Sequence, residues 1–366
     1  MKGFVIVDRG LEEIAELEIS ELIKTKSILE DSVVIFDLKE EIDLCKIAYS
    51  AQSIRRALLF IDKITIQNLE QGLEEFMKLD LKQYSNKKLK IECERFGEHN
   101  FNSVDFAQEI SGSLHKSGFN ISGKNYDLIM YIYIFNDKAY VGIDYSGRDL
   151  SKRTHRLFTK AGSLKGTLAN AVVRFSDYKP GEIIIDPWCE TGIIPIEAAL
   201  FASKKSSHFY KKDFEFEHIN PDFAKVFAEE DKKIVASKNI YAYDKLLGNI
   251  NSTKKNAQAA GVDKDLNFSK TDIEWLDTKF EKQTVDKIIT KLPSESKNKD
   301  KKLVEKIYKE FFYQAEFILK KTGLLTVCSL KNESLKEAAE KRNFKVVKEK
   351  HFFSGQQKHL VTVFGF

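Results

Sequence analysis

The sequence predicts an α/β protein whose C-terminal half is a doubly wound sheet with helices on both faces, preceded by two smaller α+β segments. Three observations carry that reading. Apolar runs close on an acid three times in order, at Asp186, Asp244 and Asp272, with helix-patterned stretches between them, the pattern of successive βα units in a parallel sheet. The first of these runs, IIIDPWCETGIIPIEAAL from Ile183 to Leu200, turns through Gly192 straight into a helix, and such a turn is where a doubly wound sheet holds a nucleotide-like ligand. Ahead of it, short strands and helices alternate from the first residues onward.

Taken in order, GFVIV reads as a strand, RGLEEIAELEISELI as a helix with Leu11, Ile14, Ala15 and Leu22 on one face, and SVVIFDL and RRALLFIDKITI as strands. With the helix-like LEQGLEEFMKL they make a ferredoxin-like domain over residues 1–82. Residues 83–146 follow as strand (KLKIECERF), helix (SVDFAQEISGSLHKSG) and two strands (YDLIMYIYIF and KAYVGIDY) joined at Asn136-Asp137, a hairpin signal. That segment has no catalytic constellation and reads as a binding module. Residues 147–178 are a basic linker and a helix, SLKGTLANAVVRFS, and the break at Lys179-Pro180-Gly181 opens the last domain, 179–366. There NIYAYD, LNFSKTD, DKIITKLP and GLLTVCSL are strands. NINSTKKNAQAAGV is a helix ending at Gly261, KKLVEKIYKEFFYQAEFILKK is a long amphipathic helix, and FKVVKEKHFF and HLVTVFGF close the sheet as an antiparallel pair.

The dinucleotide fingerprint G-x-G-x-x-G is absent, since Gly192 is the one glycine of its turn, so a nicotinamide or flavin cofactor is disfavoured. S-adenosylmethionine fits better. Gly192 lets the backbone approach the ligand and the amides opening the helix favour an anionic group. Asp244 is placed to accept the ribose hydroxyls and Asp272 the adenine amino group. Each of these aspartates taken alone also reads as a helix cap or turn residue; the ordered set favours the cofactor.

Hydrophobic residues make up 42% of the chain and charged residues 31%, which suits a globular protein. No apolar run reaches the roughly 18 residues of a membrane span, and MKGFVIVDRGLEE lacks the features of a signal peptide, so the expected location is cytoplasmic. Cys45, Cys93, Cys189 and Cys328 are far apart, and neither a disulfide framework nor a zinc site is indicated. The net charge of +4 is modest, but its distribution is uneven. SGRDLSKRTHRLFTKAGSLK carries Arg148, Lys152, Arg153, Arg156, Lys160 and Lys165 against the single acid Asp149, with His155 and Phe158 interleaved. Such a segment suits phosphate contacts and base stacking; a solvated linker is the other reading.

From KAYVGIDY through the basic segment to IEAAL, the chain resembles the junction of the THUMP-containing, Rossmann-fold RNA methyltransferases, in particular those that methylate the exocyclic N2 of guanine in tRNA. The resemblance extends over nearly the whole chain and implies a ferredoxin-like domain, a THUMP domain around KIECERFGEHNFNSVDFAQEI and a C-terminal catalytic domain. It implies S-adenosylmethionine as cofactor, held by Asp186, Cys189, Glu190, Gly192, Asp244, Asp272 and Ile273, and tRNA or another structured RNA as partner of a monomer. Two departures stand out. The family's D-P-x-C-G-[ST]-G reads here with Glu190 at the middle glycine, and its catalytic [ND]-P-P-[YF] falls on Lys291, Leu292, Pro293 and Ser294, of which only Pro293 matches. In the usual chemistry an Asn or Asp carbonyl and a backbone carbonyl hold the guanine amino group while the aromatic ring stacks on the base. A protonated Lys291 has no acceptor and Ser294 no π-face. The loop is left with the Leu292 carbonyl and the hydroxyls of Ser294 or Ser296, with Lys291 or Lys297 for phosphate. The reading adopted is a tRNA guanine-N2 methyltransferase; alternatives are a non-catalytic RNA-binding protein on the same scaffold and, third, a small-molecule methyltransferase.

Overall fold

The computed structural model describes residues 1–294, 301–331 and 333–366; Ser296 and Lys297 lie outside the described residues. In chain order the elements are β1 (Lys2–Val7), α1 (Glu12–Ile23), β2 (Ser27–Glu30), β3 (Val33–Asp37), α2 (Glu41–Ser50), β4 (Ile54–Thr65), α3 (Leu69–Met77), β5 (Lys88–Phe96), α4 (Ser103–Lys116), β6 (Asn120–Ile121), β7 (Leu128–Phe135) and β8 (Lys138–Asp144). Then come α5 (Gly166–Phe175), β9 (Ile184–Asp186), α6 (Ile193–Ser203), α7 (Glu215–Ile219), α8 (Lys225–Asp231), β10 (Ile240–Asp244), α9 (Leu247–Ala260) and β11 (Leu266–Lys270), followed by β12 (Val285–Thr290), α10 (Lys301–Ile318), β13 (Leu319–Ser329), α11 (Glu333–Glu340), β14 (Lys345–Ser354) and β15 (Gln357–Gly365).

These elements form two units. The first comprises Met1–Val7, Ala15–Leu150 and Lys212–Glu230 and is built on one eight-stranded sheet in the order β2-β3-β1-β4-β8-β7-β5-β6. The twelve-residue β4 is the reason that 1–82 and 83–146 share a sheet: it pairs antiparallel with β1 on one side and with β8 on the other. Arg56 on β4 faces Asp144 at the end of β8 in a buried ion pair. The returning segment, Lys212–Glu230, contributes Phe214, Phe216 and Phe227, which pack around Tyr49 of α2; the Tyr49 and Phe227 rings meet edge-on at 4.9 Å. Neither α2 nor this return was anticipated from the sequence.

The second unit comprises Asp8–Ile14, Ser151–Lys211 and Asp231–Phe366. Its seven-stranded sheet runs β11-β10-β9-β12-β13-β15-β14, parallel from β11 to β13 and antiparallel through β15 and β14. The expected doubly wound sheet with its closing antiparallel pair is therefore present. The strand order reverses direction at β9, so the crevice at the carboxyl ends of β9, β10 and β12 is the switch point where such folds bind ligands. α10 bears out its helical period: Val304, Tyr308, Phe311, Phe312, Ala315 and Ile318 are all buried against Ile288, Leu325 and Val327 of the sheet.

Candidate active site

The site begins with the turn after β9. Gly192 stands at φ +82, a left-handed conformation that an L side chain adopts only with strain. A Cβ there would lie 2.3 Å from Cγ2 of Thr253 on α9. Thr253 is itself fixed, its hydroxyl donating to the carbonyls of Asn249 at 2.9 Å and Glu190 at 3.2 Å. Asn256, one turn further along α9, donates to the Thr191 carbonyl at 2.9 Å. Glu190, at the position where the family places a glycine, adopts φ +50. Its amide donates to Asp244 Oδ2 at 3.1 Å, while Oδ1 of the same carboxylate accepts from Leu246 N at 2.9 Å. Asp186 performs the matching task on the other side. Its Oδ1 accepts from Trp188 N at 3.1 Å and from the Thr290 hydroxyl at 2.7 Å, tying the turn to the end of β12. Burial pushes the Asp186 carboxyl up to about 8, against the lowering effect of those two bonds. Burial likewise raises the Cys189 thiol well above its ordinary range, next to Asp186; this is a core thiol with no nucleophilic character.

Beyond the turn lies a cavity of about 330 Å³ lined by Trp188, Lys245, Asp272, Ile273, Pro293 and, from α10, Val304 and Ile307 among others. Its walls are an indole and branched aliphatic side chains, with the carboxylates of Asp272, Glu274 and Glu310 and the ammonium groups of Lys245 and Lys306 among the lining residues. Asp272 and Ile273 were expected here. Trp188 and Lys245, neighbours of the expected Asp186 and Asp244, were not, and their signal was only their place at a strand tip.

The loop after β12 has each of its four residues engaged. Lys291 Nζ donates to the Gly162 carbonyl. Leu292 is 1% exposed in the core, so as a catalytic residue it has only its backbone to offer. The Pro293 carbonyl accepts from Tyr308 OH at 2.7 Å, and Ser294 Oγ accepts from Leu330 N at 3.2 Å.

Residues 153–359 match the RMKL-like methyltransferase domain and residues 64–144 the THUMP domain. The chain belongs to the RMKL-like methyltransferase family. Relatives include the tRNA (guanine(6)-N2)-methyltransferase of Methanocaldococcus jannaschii, 30% identical over 95% of this chain and 96% of that protein. The protein of the same name from Archaeoglobus fulgidus is 23% identical over 100% of this chain and 92% of its own. Among solved structures, SMU.472 complexed with SAH has a TM-score of 0.81 at 19% identity, covering 100% of this chain and 97% of that one. TrmN from Thermus thermophilus has a TM-score of 0.72 at 20% identity, covering 100% and 99%; both likenesses are of fold.

In this RMKL-like methyltransferase the basic segment is mostly engaged within the protein, which corrects part of the expected RNA contact set. Arg153 is the clearest case. Its guanidinium makes two bonds to Glu197 of α6, at 2.8 and 3.2 Å, and both side chains have 0% exposure, so it is a buried structural ion pair and cannot meet a phosphate. His155 lies beside the same pair, 3.9 Å from Glu197, and burial with the charges of Arg153 and Arg156 lowers its pKa to about 3, leaving it neutral. Arg156 is half-buried near Glu197. Lys165 pairs with Asp8 at 3.0 Å and Lys160 with Glu190 at 3.2 Å. In the first unit, Arg148 donates to the Asp213 carbonyl at 2.7 Å and sits over the Phe214 ring. Lys152 is exposed. The segment is thus in part a strap: Phe158 is bonded to Asn256 through both its N–H and its carbonyl, each at 2.9 Å, and Gly162 is bonded to Lys291.

Proposed function

We propose that this chain transfers a methyl group from S-adenosylmethionine to the exocyclic N2 of a guanine in tRNA, with guanine 6 the first position to test. The observation that carries the reading is the cavity at the strand tips beside a glycine turn braced from both sides by Asp186 and Asp244. The residues fit the cofactor: Trp188, Ile273 and Pro293 offer apolar walls for an adenine, and Asp272 a carboxylate for its amino group. Each Asp244 oxygen keeps a lone pair after its amide bond, for the ribose hydroxyls. The backbone from Cys189 to Gly192 would receive the amino-acid end, with the Glu190 carboxylate, paired with Lys160 at 3.2 Å, beside its ammonium. The archaeal relatives named as tRNA guanine-N2 methyltransferases, and the THUMP match, support an RNA substrate.

When bound, S-adenosylmethionine would supply an electrophilic methyl on a sulfonium; its sulfur would leave as the neutral thioether, and the nitrogen that gains the methyl would lose one proton to water. The protein's part is positioning. A guanine amino group is a weak nucleophile because its lone pair is delocalised into the ring; hydrogen bonds from its two N–H groups to fixed carbonyl oxygens favour the pyramidal form in which that lone pair points at the methyl. The Asn or Asp of the usual loop is missing, so backbone carbonyls between Lys291 and Ser294 take that task. The anchoring of Pro293 and Ser294 holds them still. Residues 1–82 and the THUMP domain deliver the RNA, and Lys152 and Arg156 meet its phosphates. The protein is read as a cytoplasmic monomer, which light scattering of the purified chain checks for its oligomeric state.

Incubating the protein with unmodified tRNA and isotopically labelled cofactor, followed by mass spectrometry of the nucleosides, tests the proposal. N2-methylguanosine is the expected product. Saturable cofactor binding by calorimetry with no methylated nucleoside would favour the non-catalytic alternative.

A further inference from the structure

The loop residue that normally stacks on the base is here Ser294, whose hydroxyl is taken by Leu330 N. Trp188, the nearby indole, lines the cavity assigned to the cofactor. A base drawn into this crevice therefore lacks its usual π-face, and the strap carries one. We propose that Phe158 is the stacking surface for the extruded guanine, standing in for the aromatic residue missing from the loop. This inference rests on the methyl transfer proposed above.

Three features support it. The ring is 39% exposed, with Leu157 beside it at 64%; single exposed apolar residues are common and mean little alone. What distinguishes Phe158 is how it is held. Asn256, itself 2% exposed, takes the Phe158 amide on its Oδ1 and gives its Nδ2 to the Phe158 carbonyl, each at 2.9 Å, and to Thr191 O at 2.9 Å. One buried side chain thus fixes the ring's backbone to the residue immediately before Gly192. An exposed ring on a pre-ordered backbone loses little freedom on binding.

The second feature is location. Within five residues the strap reaches the glycine turn twice, from Phe158 by way of Asn256 to Thr191 and from Lys160 to Glu190, and the loop after β12 once, from Gly162 to Lys291. Four extended steps span at most roughly 14 Å. The glycine turn and the loop after β12 are tied to opposite ends of that stretch, so a guanine held between them would come within reach of the ring. The third feature is charge. Lys255 Nζ lies over the Phe158 ring, 5.1 Å from its centroid, and Lys160 follows two residues on. A ring flanked by cations is the arrangement with which proteins stack bases while holding the adjoining phosphates.

The experiment compares F158L, F158Y and F158W with the wild type in methyl transfer to unmodified tRNA, with cofactor affinity by calorimetry and the unfolding temperature measured on each. Stacking on one aromatic ring predicts a fall in kcat/KM for RNA of roughly 10- to 100-fold in F158L, retention of most activity in F158Y and F158W, and unchanged cofactor affinity throughout. F158L acting within twofold of wild type would overturn the inference. So would loss of cofactor affinity or of folding in F158L, because the ring would then be a brace for the glycine turn. A wild-type protein with no transferase activity refutes the proposed reaction instead, and the two failures are told apart by that control.

Discussion

Replacing Gly192 with Ala tests whether the turn is shaped as described, and the structure gives the size of the effect. Two costs add. The left-handed backbone at φ +82 penalises an L-alanine by about 1–2 kcal/mol, less about 0.4–1 kcal/mol returned through the unfolded chain. The new Cβ would then stand 2.3 Å from Thr253 Cγ2, well inside the roughly 3.5–4 Å of an ordinary carbon contact. Thr253 cannot simply rotate away, because its hydroxyl holds Asn249 O and Glu190 O. Overpacking of this kind costs about 1–3 kcal/mol, so G192A should lose about 1–4.5 kcal/mol. T253S removes the offending methyl and keeps the hydroxyl, at about 0.5–1.5 kcal/mol for the lost group. In the G192A/T253S double variant the overpacking cost largely disappears, and the two substitutions should couple favourably by about 1–3 kcal/mol. Urea unfolding followed by fluorescence measures all four corners of the cycle, with cofactor calorimetry alongside. Additivity within about 0.5 kcal/mol would show that the glycine is not required by the approach of Thr253.

D186N should leave the turn intact, since both donors reach the same oxygen, Oδ1, which asparagine retains. Folding favours the protonated Asp186, whose pKa stands at about 8 against 3.8 ordinarily, so the wild type loses stability as pH rises from about 4 toward 8 and the variant does not; the Tm of D186N relative to wild type should climb over that window, and a flat or falling difference would refute the raised pKa. R153M strands a buried Glu197 carboxylate and should cost about 3–5 kcal/mol, read by chemical unfolding; a loss under about 1 kcal/mol would mean Arg153 is not the partner that the 0% exposed pair requires. K291M removes the tie to Gly162 and, if that tie orders the strap, lowers kcat/KM for RNA by about tenfold with cofactor affinity unchanged; K291N, which supplies a side-chain carbonyl, should recover part of the loss, and full activity in K291M would dismiss the tie as incidental.

The strands of the second unit were legible because each is a short apolar run with a visible end, and α10 because its buried residues keep a helical period from Val304 to Ile318. The return of Lys212–Glu230 to the first unit was not, since its partners include Tyr49, far back in the chain, and local pattern carries no such information. The same limit explains the basic segment. Counting cations between Arg148 and Lys165 says nothing of which ones meet a buried acid: Arg153 finds Glu197 44 residues away and Lys165 finds Asp8 157 residues away. Of the candidate cofactor residues, Asp272 and Ile273 reach the cavity, while the side chains of Asp186 and Asp244 hold backbone amides. An acid at a strand tip reads the same from sequence in either role.

The two departures from the family pattern bear on whether the site is active, and they are linked through one short stretch. Glu190 puts an acid where a glycine belongs, and Lys291 puts a base where a carbonyl side chain belongs. A site in decay would accumulate such charges without regard to one another. Here Glu190 meets Lys160 and Lys291 meets the carbonyl of Gly162, two residues further along the same strap. The Lys160–Glu190 pair is half-exposed and contributes little to stability, so stability is a poor reason for the match. Two departures that both meet the same three-residue stretch, Lys160 to Gly162, are better explained as a matched pair than as independent losses.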